Sequence, residues 1–136
     1  MCKKIRLSEN HTRSLSSSLT VVEKSLLELE NMLIKQRNSC CNVLLKDVDD
    51  KTIETNISVI QEAKSFICEL AEKYGTSKHR TSLQKAINAK RVRIWEILSE
   101  TLSRNMKGFG TFPQKYAEEY DSDISKLIEI TNRIKQ

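Results

Sequence analysis

Turn-forming residues are scarce in this chain, whose 136 residues include only three glycines and one proline. Strand-rich domains need many turns, so this composition excludes most β-rich folds and favours long helices with few connections. Long apolar runs are also missing, and no stretch approaches the roughly 18 apolar residues of a membrane-spanning helix. No apolar run follows Met1–Arg6, so we expect neither a signal peptide nor a membrane partner.

The chain also lacks the common signatures of catalysis, metal binding and phosphate binding. It has four cysteines, and the adjacent pair Cys40 and Cys41 cannot form an ordinary disulfide without strain. Cys2 and Cys68 do not provide a second pair at metal-ligand spacing. We therefore expect free thiols in a reducing, cytosolic compartment, no metal, no cofactor and no enzymatic activity.

The chain has instead apolar residues at helical spacing. Six of them are separated by alternating steps of four and three residues, which is the a/d heptad pattern of one narrow apolar seam on a long helix. They are Leu15, Leu19, Val22, Leu26, Leu29 and Leu33. Leu27, Met32 and Ile34 lie outside this seam. Extra apolar positions beside a full seam suggest a second contact, such as a homodimer.

Three further apolar stripes predict three more helices. The first helix is expected to begin between Ser8 and Ser14 and to end near Arg37, and Val43–Leu45 to form a helical turn in the first connection. Asp47–Asp50 cap the second helix and Gly75 ends it. Thr76 and Ser77 then cap a third helix ending near Gly108, and Thr111 and Pro113 begin the fourth.

Four helices of roughly 23 to 30 residues with short loops predict an all-α, antiparallel up-down-up-down four-helix bundle with long helices. The length suits a single domain over residues 1–136, with residues 1–10 as a flexible or partly ordered N-terminal segment.

Charge is unevenly distributed along the chain. Residues 47–72 hold seven acidic and two basic residues, whereas residues 73–107 hold nine basic and two acidic ones. The basic segment 73–93 could bind nucleic acid, because clustered cations neutralise phosphates. The residues of that alternative are Lys78, Arg80, Lys85, Lys90, Arg91 and Arg93. The structural interpretation, which we favour, is that the acidic second helix lies antiparallel to the basic third helix.

Two smaller features allow both a functional and a structural interpretation. Lys64, Lys90 and Arg91 interrupt apolar stripes and could form a polar layer with an anion or ligand pocket; alternatively they pair with acids such as Glu23 or Glu30. Phe109 and Phe112, on either side of a glycine, could form a docking loop or plug the end of the bundle.

The segment Arg6-Leu7-Ser8-Glu9-Asn10-His11 resembles the Arg-x4–6-His signature of HEPN-type ribonucleases, which are also small helical bundles. In that family the Arg and the His bind and cleave the RNA backbone. The resemblance covers six residues and lies at the N-terminus, whereas the family's motif usually lies late in the bundle. It implies a small helical ribonuclease as a third hypothesis, with Arg6 and His11 as its site.

Taken together, these patterns indicate a non-catalytic cytosolic helical-bundle module that binds a protein partner or itself. A basic accessory protein that binds nucleic acid through residues 73–93 is the alternative.

Overall fold

The structure is a computed structural model that describes residues 3–135, so Cys2 lies outside the described residues. Within that range the regular secondary structure is entirely helical, with four α-helices and no strand, as the sequence predicts. The helices are α1 (Glu9–Lys35), α2 (Asp50–Lys73), α3 (Leu83–Glu100) and α4 (Gln114–Asn132), with short 3-10 turns at Ser103–Asn105 and Lys107–Phe109. None of the helices in residues 3–135 has the length and apolar character needed to cross a membrane.

Side-chain caps fix the starts of the first three helices. Ser8, Asp49 and Ser82 each accept a hydrogen bond from the backbone N–H three residues further on, which satisfies a free donor of the first turn. The predicted starts of α1 and α2 are confirmed. The predicted start of α3 at Thr76 or Ser77 is wrong, and α3 and α4 have only 18 and 19 residues.

The end of α2 explains why α3 begins late. Gly75 adopts φ +64°, and the Thr76 N–H donates back to the Ala71 carbonyl at 3.0 Å, which is the hydrogen bond of a Schellman motif. Thr76 therefore belongs to the end of α2. The following residues up to Ser82 are not helical.

The connection between α1 and α2 contains no helical turn, so that prediction for Val43–Leu45 is wrong. The Asn38 side chain accepts the Leu44 N–H at 2.9 Å, and the Ser39 N–H donates to the Asn42 carbonyl at 2.9 Å. These bonds satisfy the backbone locally in a non-helical form. Val43 and Leu45 are exposed.

The chain divides into two compact units, Met1–His79 and Arg80–Gln136. In the first unit α1 packs on α2, and we call them the first helix pair. Ser16, near the start of α1, donates to the carbonyl of Ser77 beyond the end of α2. Leu33, near the end of α1, lines a groove with Ile53, near the start of α2. The contacts therefore run in opposite order along the two helices.

In the second unit α3 packs on α4, and we call them the second helix pair. The Tyr120 hydroxyl donates to the Thr101 carbonyl at 2.6 Å, which joins the end of α3 to the first half of α4. The Arg91 guanidinium donates to the Ile134 carbonyl at 3.1 Å, beyond the other end of α4. These contacts also run in opposite order along their helices.

The buried part of the first pair is small. Ile53 and Ile60, both in α2, are the only buried hydrophobic residues in the described range, with 8% and 3% of their surface exposed. The predicted α1 seam is only partly covered, since Val22 and Leu29 are exposed while Glu23 and Glu30 are half-buried. The stripe of α1 that faces α2 is thus rotated from the apolar seam toward two glutamates.

Because Ile60 is the most buried residue, we expect Ile60→Ala to lower the free energy of unfolding by about 2–4 kcal/mol. Its neighbour Val59 is 56% exposed, so Val59→Ala is the matched control and should change stability by less than about 0.5 kcal/mol. Chemical denaturation of both variants measures the difference. Equal effects of the two changes would contradict this packing of α2.

Candidate functional site

Most of the exposed apolar side chains of the first helix pair lie on one side of it. At about 100° per residue, Val22, Leu29 and Met32 lie to one side of the covered stripe of α1, and Leu27 and Ile34 to the other. On α2, Val59 and Phe66 are also displaced to one side of the covered stripe. Because the contacts between α1 and α2 run in opposite order along the two helices, Val59 and Phe66 lie on the same side of the pair as Val22, Leu29 and Met32. We call them the first face: Val22, Leu29, Met32, Val59 and Phe66.

The second helix pair has a corresponding surface. The same geometry places Leu83 and Ile97 of α3 on the side of the pair where Tyr116, Leu127 and Ile130 of α4 lie. We call these residues the second face, and all five are exposed, Leu83 by 74%. The sequence predicted Leu83 and Leu127 as members of covered stripes, which is wrong for this pair of helices.

A polar contact crosses the covered stripe of the first pair. The Lys64 ammonium lies 3.1 and 3.3 Å from the two carboxylate oxygens of Glu30, and the Gln61 amide also donates to Glu30. The Lys64 and Glu30 side chains are 27% and 14% exposed. This is the pairing with a flanking acid that the structural interpretation of Lys64 expected.

The three residues of the predicted polar layer belong to different units. Lys64 lies in the first unit with Glu30, whereas Lys90 and Arg91 lie in the second. Arg91 is half-buried and bonded to the Ile134 carbonyl, and Lys90 is exposed. A ligand pocket formed by all three stays a prediction.

The basic residues of α3 do not share one side of the helix. At about 100° per residue, Lys85, Lys90, Arg91 and Arg93 project in four different directions. Arg93 lies 3.8 Å from the Glu96 carboxylate. Lys78 belongs to the first unit and lies with Arg80 in the non-helical segment before α3. A phosphate backbone lying along one side of α3 would meet only part of this set.

The two phenylalanines of the predicted docking loop have different environments. Phe112 packs on Tyr120 with ring centroids 4.6 Å apart, and it is half-buried at the end of the second pair. Phe109 is 88% exposed beside Gly110, whose φ is +112°. Only Phe109 is available to a partner.

Asp121 is a structural anchor that the sequence analysis missed. Its carboxylate accepts the Ser103 N–H at 2.8 Å and the Ser103 hydroxyl at 2.6 Å, which fixes the first 3-10 turn onto α4. These hydrogen bonds, the side-chain bond first, lower the pKa of Asp121, and nearby Arg104 lowers it further. Its position beside Tyr120 and Ile124, on the covered side of α4, was the signal available in the sequence.

The residues of the ribonuclease resemblance are separate features of the first unit. Arg6 lines a groove of about 360 Å³ together with Lys4, Lys73 and Tyr74. The His11 ring lies in the first turn of α1 with Nδ1 2.5 Å from the Ser8 hydroxyl, and it does not line that groove. The ribonuclease hypothesis stays untested by this arrangement.

Comparison with protein-family models, curated proteins and solved structures finds no match to this chain.

We expect Lys64→Met to destabilise the protein by about 1–3 kcal/mol, because it leaves the Glu30 carboxylate half-buried with only the Gln61 amide as partner. The double change Glu30→Leu with Lys64→Met removes both charges and should bring stability to within about 1 kcal/mol of the original or above it. Urea denaturation of the single and double variants checks both values. A double variant less stable than Lys64→Met would contradict this account of the ion pair.

Acid sensitivity should follow from Asp121. An aspartate whose pKa in the folded chain lies below its unfolded value of about 3.9 stabilises the fold above that pH. The contribution is lost as the pH falls through the lowered pKa. We expect the Asp121→Asn variant to have a lower melting temperature than the original chain near pH 6. On acidification to about pH 3, the melting temperature of the variant should fall by less than that of the original chain. Identical pH dependence of the two proteins would contradict this role.

Proposed function

We propose that this chain is a non-catalytic interaction module of the cytosol that binds a protein partner or itself through its apolar faces. The antiparallel up-down-up-down bundle with long helices that the sequence suggests stays a prediction. The supporting observation is that both helix pairs expose several large apolar side chains on one side. Clustered exposed apolar side chains are typical of interaction sites.

The free thiols of Cys40, Cys41 and Cys68 are in keeping with a reducing compartment. Two observations support this proposal over the other two. The cationic side chains of α3 point in several directions, and one of them, Arg91, donates a hydrogen bond to the Ile134 carbonyl of the same unit. His11 interacts with its own helix cap.

Partner capture with matched variants tests the proposal. Leu29 and Leu27 are the same residue type, 43% and 47% exposed, on opposite sides of α1. We expect Leu29→Ser combined with Phe66→Ser to reduce binding of protein partners at least about tenfold, because buried apolar anchors carry most interface energy. Leu27→Ser should leave binding unchanged. The measurement is affinity capture with the tagged full chain, with circular dichroism to confirm equal helix content.

Unchanged capture by the Leu29→Ser, Phe66→Ser variant, or an equal loss in Leu27→Ser, would contradict a role for the first face.

The nucleic-acid alternative predicts salt-resistant binding, which we do not expect. RNA or DNA binding should be weaker than about 1 µM at 150 mM salt, where the screening length is about 8 Å. Lys78→Glu with Lys85→Glu should weaken any low-salt binding no more than the control Lys115→Glu with Lys126→Glu. Fluorescence anisotropy at two salt concentrations measures this. Tight binding at 150 mM salt, lost only in the first variant, would support the alternative.

A further inference from the structure

Cys40 and Cys41 are two neighbouring thiols to which the proposed function assigns no chemical role. They are the middle residues of a turn in the connection between α1 and α2. The Ser39 N–H donates to the Asn42 carbonyl at 2.9 Å, which closes the turn around the two cysteines. Both cysteines are exposed, and neither sulfur belongs to a disulfide. The turn therefore presents two nucleophilic sulfurs at one place on the surface.

A second hydrogen bond holds the two ends of this turn together. The Asn38 carboxamide oxygen accepts the Leu44 N–H at 2.9 Å, so the residues on either side of the cysteines are bonded to each other. Asn38 and Leu44 also line a groove of about 280 Å³ with Leu33 and Ile53, which places the turn near the start of α2. Because the backbone around the cysteines is already ordered, less conformational freedom is lost when both sulfurs bind one ligand.

The cysteine pair is poorly suited to disulfide formation. A disulfide between adjacent residues departs from ordinary geometry and is strained. Cys68, the other cysteine of the described residues, lies eighteen residues after the first residue of α2, which is about 27 Å along the helix axis. Disulfide-linked cysteines have Cα atoms less than about 7 Å apart. A disulfide of Cys40 or Cys41 within residues 3–135 is therefore either strained or out of reach.

An atom placed between the two sulfurs relieves this strain, because it adds one member to the ring that a disulfide would close. Such an atom must be soft and must form two bonds to sulfur. A structural zinc ion needs four ligands, and residues 3–135 contain no group of three or more His, Cys, Asp or Glu side chains that could hold a metal ion. Trivalent arsenic with one organic substituent needs two sulfur ligands and no others.

We propose that Cys40 and Cys41 form a binding site for trivalent arsenicals that carry one organic substituent. The arsenic of an arsenoxide, R–As=O, forms one bond to the sulfur of each cysteine. The two S–H bonds and the As=O bond break, and the oxygen leaves as water with both thiol protons. Arsenic stays trivalent, so the reaction needs no oxidant or reductant. This inference does not depend on the proposed function.

Titration of the full chain with phenylarsine oxide in excess monothiol tests the proposal, with retained arsenic measured by mass spectrometry. A single thiol loses the arsenical to the monothiol, whereas the second bond of a chelate forms within one molecule at high effective concentration. We expect Cys40→Ser and Cys41→Ser each to lower the affinity at least about a hundredfold. The control Cys2→Ser with Cys68→Ser should bind as the original chain does.

Two asparagines of the turn separate the contribution of the fold from that of the two thiols. Asn38→Ala removes the acceptor of the Leu44 N–H, and we expect it to weaken arsenical binding about three- to tenfold. Asn42 closes the turn with its backbone carbonyl, so Asn42→Ala is the matched control and should leave the affinity unchanged. Asn38→Asp keeps an acceptor oxygen and should bind as the original chain does.

Two results would overturn the proposal: loss of the arsenical from the original chain to the monothiol, or full retention by Cys40→Ser or Cys41→Ser. Equal affinities of Asn38→Ala and Asn42→Ala would overturn the contribution of the turn. These four positions lie outside the helices, so the changes should leave helix content unaltered, which circular dichroism checks.

Discussion

A helix with one helical neighbour can have only one stripe of its surface covered, and this limit governs the rest of the structure. In each unit two helices cover each other along one side, with Ile60 at the centre of the first pair. Apolar residues beyond that stripe stay exposed. Since burying apolar surface is the main stabilising contribution in folding, a pair of this size has little of it to draw on. The cap of Asp49 and the Schellman motif at Gly75 stabilise the ends of α2, and the hydrogen bonds of Asp121 hold the turn that follows α3.

The same limit gives the surface its chemical character. The exposed side chains of the two faces are mostly aliphatic. Glu62 and Glu69 lie beside the first face, and charges of both signs, such as Arg93 and Glu100, lie beside the second. Apolar contact supplies most of the free energy of association, whereas charge chooses among possible partners. This combination is what the proposed binding of a protein partner requires. The sparse aromatic content agrees with this, because stacking platforms for bases or sugars need more rings than α3, with Trp95 alone, provides.

The sequence predicted the helical class, the start of α2 within the aspartates of residues 47–50, its end at Gly75, and the stripe of α2 that includes Ile53 and Ile60. Those features depend on local chemistry: a carboxylate cap, a left-handed glycine and one apolar period. The predicted start of α3 was wrong because the Thr76 N–H forms the hydrogen bond that ends α2. Single-residue preferences do not show which of the two helices a residue will serve.

Which stripe of a helix is covered depends on the neighbour rather than on the helix. The α1 periodicity placed Val22 and Leu29 in the core, but α2 presents Lys64 and Gln61, and these side chains bind Glu30. With this ion pair across the interface, α1 packs on α2 through the side that carries Glu30 rather than through its most apolar side. Asp121 was missed for a similar reason, since its value depends on Ser103, eighteen residues earlier.

The Glu30–Lys64 pair also determines how α1 and α2 are aligned along their length. Apolar seams of heptad type are nearly periodic, so sliding one helix by seven residues would still place aliphatic side chains against one another. Such a slide would move Glu30 from Lys64 to Ile57 or Ala71, where a half-buried carboxylate would lose its cation. A single polar contact thus favours one axial register of α1 and α2 over the registers that lie seven residues to either side.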